Sequence, residues 1–235
     1  MAAPTPRALI IATAAATFVG KPDTPAGCWA EELIVPYLKW RDAGYEVDIA
    51  TPGGKAISWT PRSLKPEAKP PAVETFLADK ECVGKTEKPL SLADVDLSRD
   101  YAIVYVPGGH GAMVDLPDNE RLQQLLSQAC TRGAVIASVC HGPAALVHVT
   151  DAAGELMLKG RRVACFSNEE ERSTGLQGDV PFMLEDAVKK AGAMYEAAQP
   201  WQSHVVCDGR RVTGQNPASS SRLADVALEA ARAKQ

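Results

Sequence analysis

The sequence predicts an α/β protein built on a mostly parallel sheet with helices on both faces, and three observations support this fold class. Short apolar runs alternate with helical patterns along the chain, as in successive βαβ units. The apolar run Tyr101–Val106 leads directly into the glycine-rich turn Pro107–Gly111. The run Ala134–Val139 leads into a sharp turn at Cys140 and then into a predicted helix. Strand, tight turn and helix in this order are typical of the carboxyl edge of a parallel sheet.

The composition is that of a globular protein with one core. The 235 residues are 46% hydrophobic and 23% charged, so residues 1–235 are expected to form a single domain. The net charge of −4 disfavours a nucleic-acid partner, which would need a basic face. No apolar stretch reaches the roughly 18–20 residues of a membrane span. Six cysteines without a C-x-x-C pair or zinc spacing predict reduced thiols in the cytoplasm.

The first predicted elements are a strand, a helix and a second strand. The apolar run from Ala8 to Val19 has the outline of a signal peptide. A buried strand over Ala8–Ala12 is the preferred interpretation, because removing it would delete the opening strand of the sheet. Apolar spacing then predicts a helix that ends at Gly44, and Pro36 implies that this helix either begins near Pro36 or is kinked there. The second strand is predicted over Tyr45–Ala50.

The segment from Lys55 to Asp100 carries five prolines and is too long for an ordinary connection. It is expected to be an irregular insertion that covers the active site. The remaining elements are the strand Tyr101–Val106, a helix near Asn119–Arg132, the strand Ala134–Val139, a short helix near Pro143–His148, the strand Arg162–Phe166, a helix over Phe182–Ala191, a hairpin over Val205–Thr213 and a closing helix over Arg222–Lys234.

The turn after Ala134–Val139 has the features of a nucleophile elbow. Cys140 stands between strand and helix, and Gly142 leaves room for a substrate and for close backbone approach. His141 places a base beside the thiol, as nucleophilic catalysis requires. The helix entrance is expected to lower the pKa of Cys140, because backbone N–H groups and the helix dipole favour the thiolate.

Five motifs that follow one another along the chain carry a family resemblance. They are Gly27–Glu32, Pro107–Gly111, Ala137–Pro143, Phe166–Glu171 and Val212–Ser219. Together they resemble the DJ-1/PfpI superfamily, and in particular its Hsp31-like glyoxalase branch, over nearly the whole chain. The fold that this resemblance implies is a flavodoxin-like sandwich with a nucleophile elbow.

The resemblance also implies roles for particular residues. Cys140 would be the nucleophile and His141 its acid–base partner. Glu171 would orient His141, with Glu170 as the alternative, because three consecutive glutamates leave the register open. Without the resemblance, this acidic run would be interpreted as a solvated loop.

Further roles concern the first helix and the glycine-rich turn. Glu32 matches the carboxyl group that contacts the nucleophilic sulfur in this superfamily, where it acts as a protonated hydrogen-bond donor. Its neighbour Glu31 is expected to be an exposed helix charge. The N–H groups of Gly109 and His141 are expected to bind a developing oxyanion, and His110 to line the pocket.

The activity that the resemblance implies is the conversion of methylglyoxal to lactate, and of glyoxal to glycolate, through a hemithioacetal on the cysteine. No metal, cofactor or glutathione is expected, and the histidines suggest no two-histidine, one-carboxylate metal site. The enzyme would act on a small dicarbonyl as a cytoplasmic homodimer. The alternatives are a stress-responsive chaperone, a redox sensor based on the same thiol, and a protein deglycase. Trp29, Trp59 and Trp201 could line the pocket or fill the core, and the core is the preferred interpretation.

Overall fold

The computed structural model describes residues 5–96 and 100–233. Within these residues the strands are β1 (Arg7–Ile11), β2 (Thr17–Phe18), β3 (Lys21–Pro25), β4 (Glu46–Thr51), β5 (Leu90–Ser91), β6 (Tyr101–Val106), β7 (Val135–Val139), β8 (Arg162–Val163), β9 (Met194–Tyr195), β10 (Val205–Asp208) and β11 (Arg211–Gly214). The helices are α1 (Ala30–Asp42), α2 (Pro71–Ala78), α3 (Lys80–Glu87), α4 (Ala112–Asp115), α5 (Glu120–Thr131), α6 (Asn168–Thr174), α7 (Leu184–Lys190) and α8 (Ser220–Arg232).

Seven of the described strands form one sheet in the order β10–β11–β7–β6–β1–β4–β5. Every neighbouring pair is parallel except the β10–β11 hairpin, which lies at one edge. Strands β1, β6 and β7 are almost wholly buried, as expected for a sheet covered on both faces. The predicted α/β fold class with a mostly parallel sheet is confirmed.

The connections between strands place helices on both faces and define one crevice. The chain passes from β1 through α1 to β4, and later from β6 through α5 to β7. These two connections run in opposite directions along the sheet. Because such crossovers are right-handed, α1 and α5 lie on opposite faces. Helix α8 packs against α1 and completes the first face. The direction reverses between β1 and β6, and open α/β sheets bind ligands at the carboxyl ends of the strands near such a point.

Helix α1 runs continuously from Ala30 with Pro36 in its interior, so the prediction that it begins near Pro36 is wrong. A proline has no N–H for the carbonyl one turn earlier, which here belongs to Glu32. The hydroxyl of Tyr105 donates to that carbonyl at 2.6 Å instead. This bond ties the first turn of α1 to the central strand β6, and it fixes the backbone of Glu32.

The segment after β4 is more regular than the expected insertion. It contains helices α2 and α3, and Val73 and Phe76 of α2 are fully buried. Phe76 packs edge-on against Tyr37 of α1, with ring centroids 5.2 Å apart. A proline is the first residue of α2. This position tolerates proline because the N–H groups of the first turn have no acceptor within the helix. Residues 97–99 of the predicted segment lie outside the described residues.

Two predicted elements after β7 have a different form. The strand predicted over Arg162–Phe166 is regular only over β8, which pairs with β9 in a separate small sheet. Beyond β8 the chain leaves this small sheet, and the N–H of Phe166 donates to the carbonyl of Cys140 at 3.0 Å. The short helix predicted after Cys140 is a 3₁₀ turn over Gly142–Leu146. No sequence pattern predicts the β2–β3 hairpin.

Three further expectations concern strand β1, the end of the closing helix and membrane crossing. Strand β1 lies between β4 and β6, as the strand interpretation of Ala8–Ala12 requires. The predicted end of the closing helix at Lys234 lies outside the described residues, as do residues 1–4 and Gln235. Within the described ranges, no helix combines the length and apolar character that a membrane crossing needs.

Candidate active site

A cavity of about 280 Å³ opens beside the carboxyl ends of β6 and β7. Four of the residues predicted for the site line it, namely Gly109, His110, Cys140 and His141. Its other walls are mostly apolar and include Trp29, Phe166 and Trp201. Thr60, Pro61 and Arg62, from the segment predicted to cover a site, also line the cavity.

Cys140 stands at the tip of the turn after β7, and only 3% of it is exposed. Its φ of 58° is a left-handed conformation that is rare outside glycine. The N–H of Cys140 donates to the carbonyl of Gly214 at 2.9 Å, and its carbonyl accepts the N–H of Phe166. A side chain at Gly142 would collide with the carbonyl of Val106, so the turn requires glycine there. A strained turn that is held in this way has the geometry of a nucleophile elbow.

The imidazole of His141 joins the thiol to a carboxylate. Its Nδ1 lies 3.2 Å from Sγ of Cys140, and its Nε2 lies 2.7 Å from Oε2 of Glu171. Because an ionised carboxylate only accepts hydrogen bonds, Nε2 carries the proton and Nδ1 presents its lone pair to the thiol. Burial and the neighbouring His110 lower the pKa of His141 to about 4 in spite of Glu171. The ring is therefore a neutral base at neutral pH.

Glu171 accepts hydrogen bonds from two imidazoles at once. Its Oε1 accepts Nε2 of His110 at 2.9 Å and the hydroxyl of Thr174 at 3.1 Å, while Oε2 accepts from His141. Burial alone would raise the pKa of Glu171, but the hydrogen bonds from the two rings outweigh burial and hold this pKa well below its usual range. The structure thus brings Glu171, and not Glu170, to His141.

The same three side chains correct the expectation about metal ligands. Donor atoms of His110, His141 and Glu171 lie within 4.8 Å of one another, a set that could hold a metal ion. The prediction that the histidines form no two-histidine, one-carboxylate group is therefore wrong, since the fold brings together His110 after β6, His141 after β7 and Glu171 in α6. In this structure the Nε2 atoms of His110 and His141 donate hydrogen bonds to the carboxylate of Glu171. A metal ion that bound these nitrogens would have to displace their protons.

Glu32 approaches the nucleophile from the first turn of α1 and is fully buried. Its Oε2 accepts the N–H of Gly108 at 2.7 Å. Its Oε1 has no hydrogen-bond partner within the described residues, although the carboxyl group lies close enough to Cys140 for the two side chains to shift each other's pKa. Burial raises the pKa of Glu32 well above its ordinary value although both contacts oppose the shift. Burial thus favours the protonated form, which can donate a hydrogen bond to a thiolate.

The predicted direction of the pKa shift at Cys140 is wrong. Burial raises the pKa of the thiol well above its ordinary value, while the N–H of Gly109 opposes the rise, and Glu32 would raise the pKa further only in its ionised form. The expected helix is a 3₁₀ turn of 5 residues, too short for a helix dipole to offset burial. At neutral pH the side chain is therefore a thiol, and the lone pair on Nδ1 of His141 is placed to accept its proton.

The N–H groups of Gly109 and His141 lie beside the nucleophile. The N–H of Gly109 approaches Sγ of Cys140 closely enough to oppose the rise of its pKa. Within the described residues, neither N–H donates to a main-chain carbonyl. Gly109 has a φ of 86°, and a side chain there would collide with the carbonyl of Gly27. Two such donors beside a nucleophile are suited to binding an oxyanion.

Glu170 is fully buried and has a different set of partners. Its Oε2 accepts the N–H and the hydroxyl of Ser167, both at 2.9 Å. Its Oε1 accepts the N–H of Trp201 and the side-chain amide of Asn216, both at 2.8 Å. This carboxylate holds together the start of α6, the loop before β10 and the turn after β11.

Glu170→Gln is expected to lower the free energy of unfolding by about 2–4 kcal/mol, because an amide NH₂ would face two donors on one side of the group. The melting temperature would fall by roughly 5–15 °C. Differential scanning calorimetry of the variant and the wild type checks this. A melting temperature within about 2 °C of wild type would show that the four hydrogen bonds contribute little.

Trp29 and Trp201 line the cavity, so the prediction that they belong to the core is wrong. Trp59 instead packs against the core. The ring of Phe166 packs against both Trp201 and His141. Its centroid lies 5.5 Å from that of Trp201 and 4.4 Å from that of His141. No sequence signal identifies Trp201, because it stands in an irregular loop.

Known proteins resemble the chain in both sequence and fold. Residues 26–230 match the model of the DJ-1/PfpI family. The glutathione-independent glyoxalase HSP31 of Saccharomyces cerevisiae is 32% identical, over 87% of this chain and 89% of the yeast protein. Rapid Encystment Protein 24 KDa of Francisella tularensis superposes with a TM-score of 0.89 at 33% identity, over 96% of this chain and 99% of that one. Glyoxalase III of Candida albicans superposes with a TM-score of 0.84 at 27% identity, over 95% and 97%.

Proposed function

The chain belongs to the DJ-1/PfpI family, and from this premise we propose that it is a glutathione-independent glyoxalase. It converts methylglyoxal to lactate and glyoxal to glycolate, which makes it a lyase that acts on small dicarbonyls. The observation that carries the proposal is the distance of 3.2 Å between Sγ of Cys140 and Nδ1 of His141 in a cavity with mostly apolar walls.

The first step forms a bond between sulfur and the aldehyde carbon of methylglyoxal. The thiol of Cys140 gives its proton to Nδ1 of His141 as Sγ attacks. The carbonyl oxygen becomes an alkoxide, and the N–H groups of Gly109 and His141 stabilise it. Return of the proton from Nδ1 to this oxygen gives a neutral hemithioacetal.

The same imidazole then moves a proton between the two substrate carbons. Nδ1 of His141 removes the proton from the carbon bonded to sulfur, which gives an enediolate, and returns it to the neighbouring carbon. The hydroxyl proton on the first carbon passes to the oxygen of the second, so that a carbonyl forms at the first carbon and a hydroxyl at the second. The first carbon is oxidised to a thioester and the second is reduced to an alcohol, so the substrate itself supplies both halves of the redox change. Water cleaves the thioester, which releases lactate and restores the thiol of Cys140.

Two carboxyl groups with opposite protonation support these steps. Ionised Glu171 keeps the proton of His141 on Nε2, so that Nδ1 remains the base throughout. Protonated Glu32 donates to the sulfur and stabilises the thiolate that leaves when the thioester is cleaved. His110 holds the second oxygen of Glu171 and thereby fixes the orientation of the carboxylate.

The test is lactate formation from methylglyoxal by the purified protein in the presence of a metal chelator and without glutathione. We expect one lactate for each methylglyoxal consumed, and no increase in rate when glutathione is added. Consumption without lactate, or turnover that needs glutathione, would contradict the proposal. No turnover by protein with a reduced Cys140 would favour the redox-sensor or chaperone alternative.

We further infer a cytoplasmic location and a homodimer. All six cysteines are free thiols, in agreement with a reducing compartment. The homodimer rests on the family resemblance. Light scattering coupled to size-exclusion chromatography measures the assembly, and the 25.0 kDa mass of a single chain would contradict a dimer.

A further inference from the structure

A second cavity of about 450 Å³ lies beside the catalytic cavity. Trp29, Trp201 and Pro217 line both cavities, so these three side chains form a partition between them. The second cavity is also lined by Glu31 and the segment Glu67–Pro70, and we call it the outer groove. No step of the proposed mechanism uses this space.

The partition is held in a defined position. The φ of Trp201 is 64°, in the left-handed region, and its N–H donates to the buried carboxylate of Glu170 at 2.8 Å. Its ring packs edge-on against Phe166. Nevertheless 48% of Trp201 is exposed. A large aromatic residue that is held in a strained conformation and left half exposed between two cavities indicates a surface that contacts a ligand.

The outer groove contains polar groups without partners. Glu31 is half-buried instead of being the expected exposed charge, and burial raises its pKa to about 7. Within the described residues, no donor bonds to the carboxylate of Glu31. Lys69 forms an ion pair with Glu74 at 3.0 Å and leaves N–H donors for other groups. The groove therefore combines aromatic rings with both acceptors and donors.

This combination suits a chain of hydroxylated carbons. The C–H groups of such a chain pack on aromatic rings, while its hydroxyl groups donate to a carboxylate and accept from N–H groups. An anionic ligand is disfavoured, because Glu31 and Glu67 both line the groove. An apolar ligand would leave the carboxylate of Glu31 desolvated and unpaired.

We propose that the outer groove binds the hydroxylated tail of a sugar-derived α-oxoaldehyde whose dicarbonyl end reacts at Cys140. The inference rests on the proposed glyoxalase function and names a substrate class for the same site. Cys140 lines only the catalytic cavity, and Glu31 lines only the outer groove. Methylglyoxal fills the first space alone, whereas a six-carbon oxoaldehyde extends its tail past the partition into the second.

The experiment compares kcat/KM for methylglyoxal and for 3-deoxyglucosone, a six-carbon α-oxoaldehyde with a hydroxylated tail. Ala218 is exposed and lines only the outer groove, so Ala218→Phe obstructs the groove and Ala218→Ser is the matched control. We expect the ratio of kcat/KM for 3-deoxyglucosone to that for methylglyoxal to fall about tenfold in Ala218→Phe and to stay within about twofold in Ala218→Ser. Glu31→Gln is expected to lower the same ratio about fivefold.

Turnover of methylglyoxal without turnover of 3-deoxyglucosone, or an unchanged ratio in Ala218→Phe, would overturn the inference and leave the proposed function standing. Failure with both substrates would reject the proposed function instead. In that case a binding measurement still tests the groove. Cys140→Ala protein is titrated with 3-deoxyglucosone, and quenching of tryptophan fluorescence gives the Kd. The Kd is expected to rise when Ala218→Phe is added, and an unchanged Kd would contradict the groove.

Discussion

Cys140→Ser is expected to lower the rate of lactate formation from methylglyoxal by at least about 10³-fold. A serine hydroxyl is far less acidic than a thiol, and His141, whose pKa is lowered to about 4, is too weak a base to deprotonate it. The exchange changes one atom of a buried residue, so the cavity and the fold should persist. Initial rates at saturating methylglyoxal, with lactate measured enzymatically, check the result.

The matched control is Cys165→Ser, which changes a fully buried thiol outside the catalytic cavity. We expect this variant to keep the wild-type rate within about twofold. Circular dichroism melting curves of both variants would establish that they fold. Turnover by Cys140→Ser at a rate close to wild type would assign the nucleophile to another group and reject the hemithioacetal.

Glu171→Gln is expected to lower kcat by about 10²-fold or more, with a smaller change in KM. The carboxylate accepts hydrogen bonds from Nε2 of both His110 and His141, whereas an amide offers one acceptor oxygen. If the NH₂ group faces His141, the ring must accept at Nε2 and carry its proton on Nδ1. That tautomer has no lone pair for the proton of Cys140. Steady-state kinetics with methylglyoxal measure both parameters.

The three consecutive glutamates provide the controls for this prediction. Glu169 is exposed, so Glu169→Gln is expected to leave both kcat and the melting temperature near wild type. Glu170→Gln is expected to change stability, as described above, because its partners lie outside the catalytic group. A wild-type kcat in Glu171→Gln, or an equal loss in Glu169→Gln, would contradict the assignment of Glu171.

The nucleophile turn was predictable from sequence because its determinants are local. A buried strand, Cys140, His141 and Gly142 follow one another, so the position of the turn could be identified, although Gly214 and Phe166 also hold its backbone. Helix boundaries were less predictable. The interior position of Pro36 is tolerated because the hydroxyl of Tyr105, distant in sequence, bonds to the carbonyl that the proline leaves free.

Features that depend on distant contacts could not be predicted. The sharing of Glu171 by His110 and His141 requires the turns after β6 and β7 to meet helix α6, and no spacing in the sequence records that approach. The raised pKa of Cys140 results mainly from burial, whereas the local pattern suggested a helix dipole. Trp201 reaches the cavity through the hydrogen bond of its N–H to Glu170.

The hydrogen bond from Cys140 to Gly214 has a consequence for biosynthesis. Gly214 ends β11, which follows β7 in the chain and is paired with it. A nascent chain that ends before β11 lacks the acceptor that holds the turn at Cys140, and it also lacks Pro217 in the cavity wall. Synthesis of Cys140, His141 and Glu171 is therefore not sufficient to form the site, because its framework is incomplete until β11 has been added.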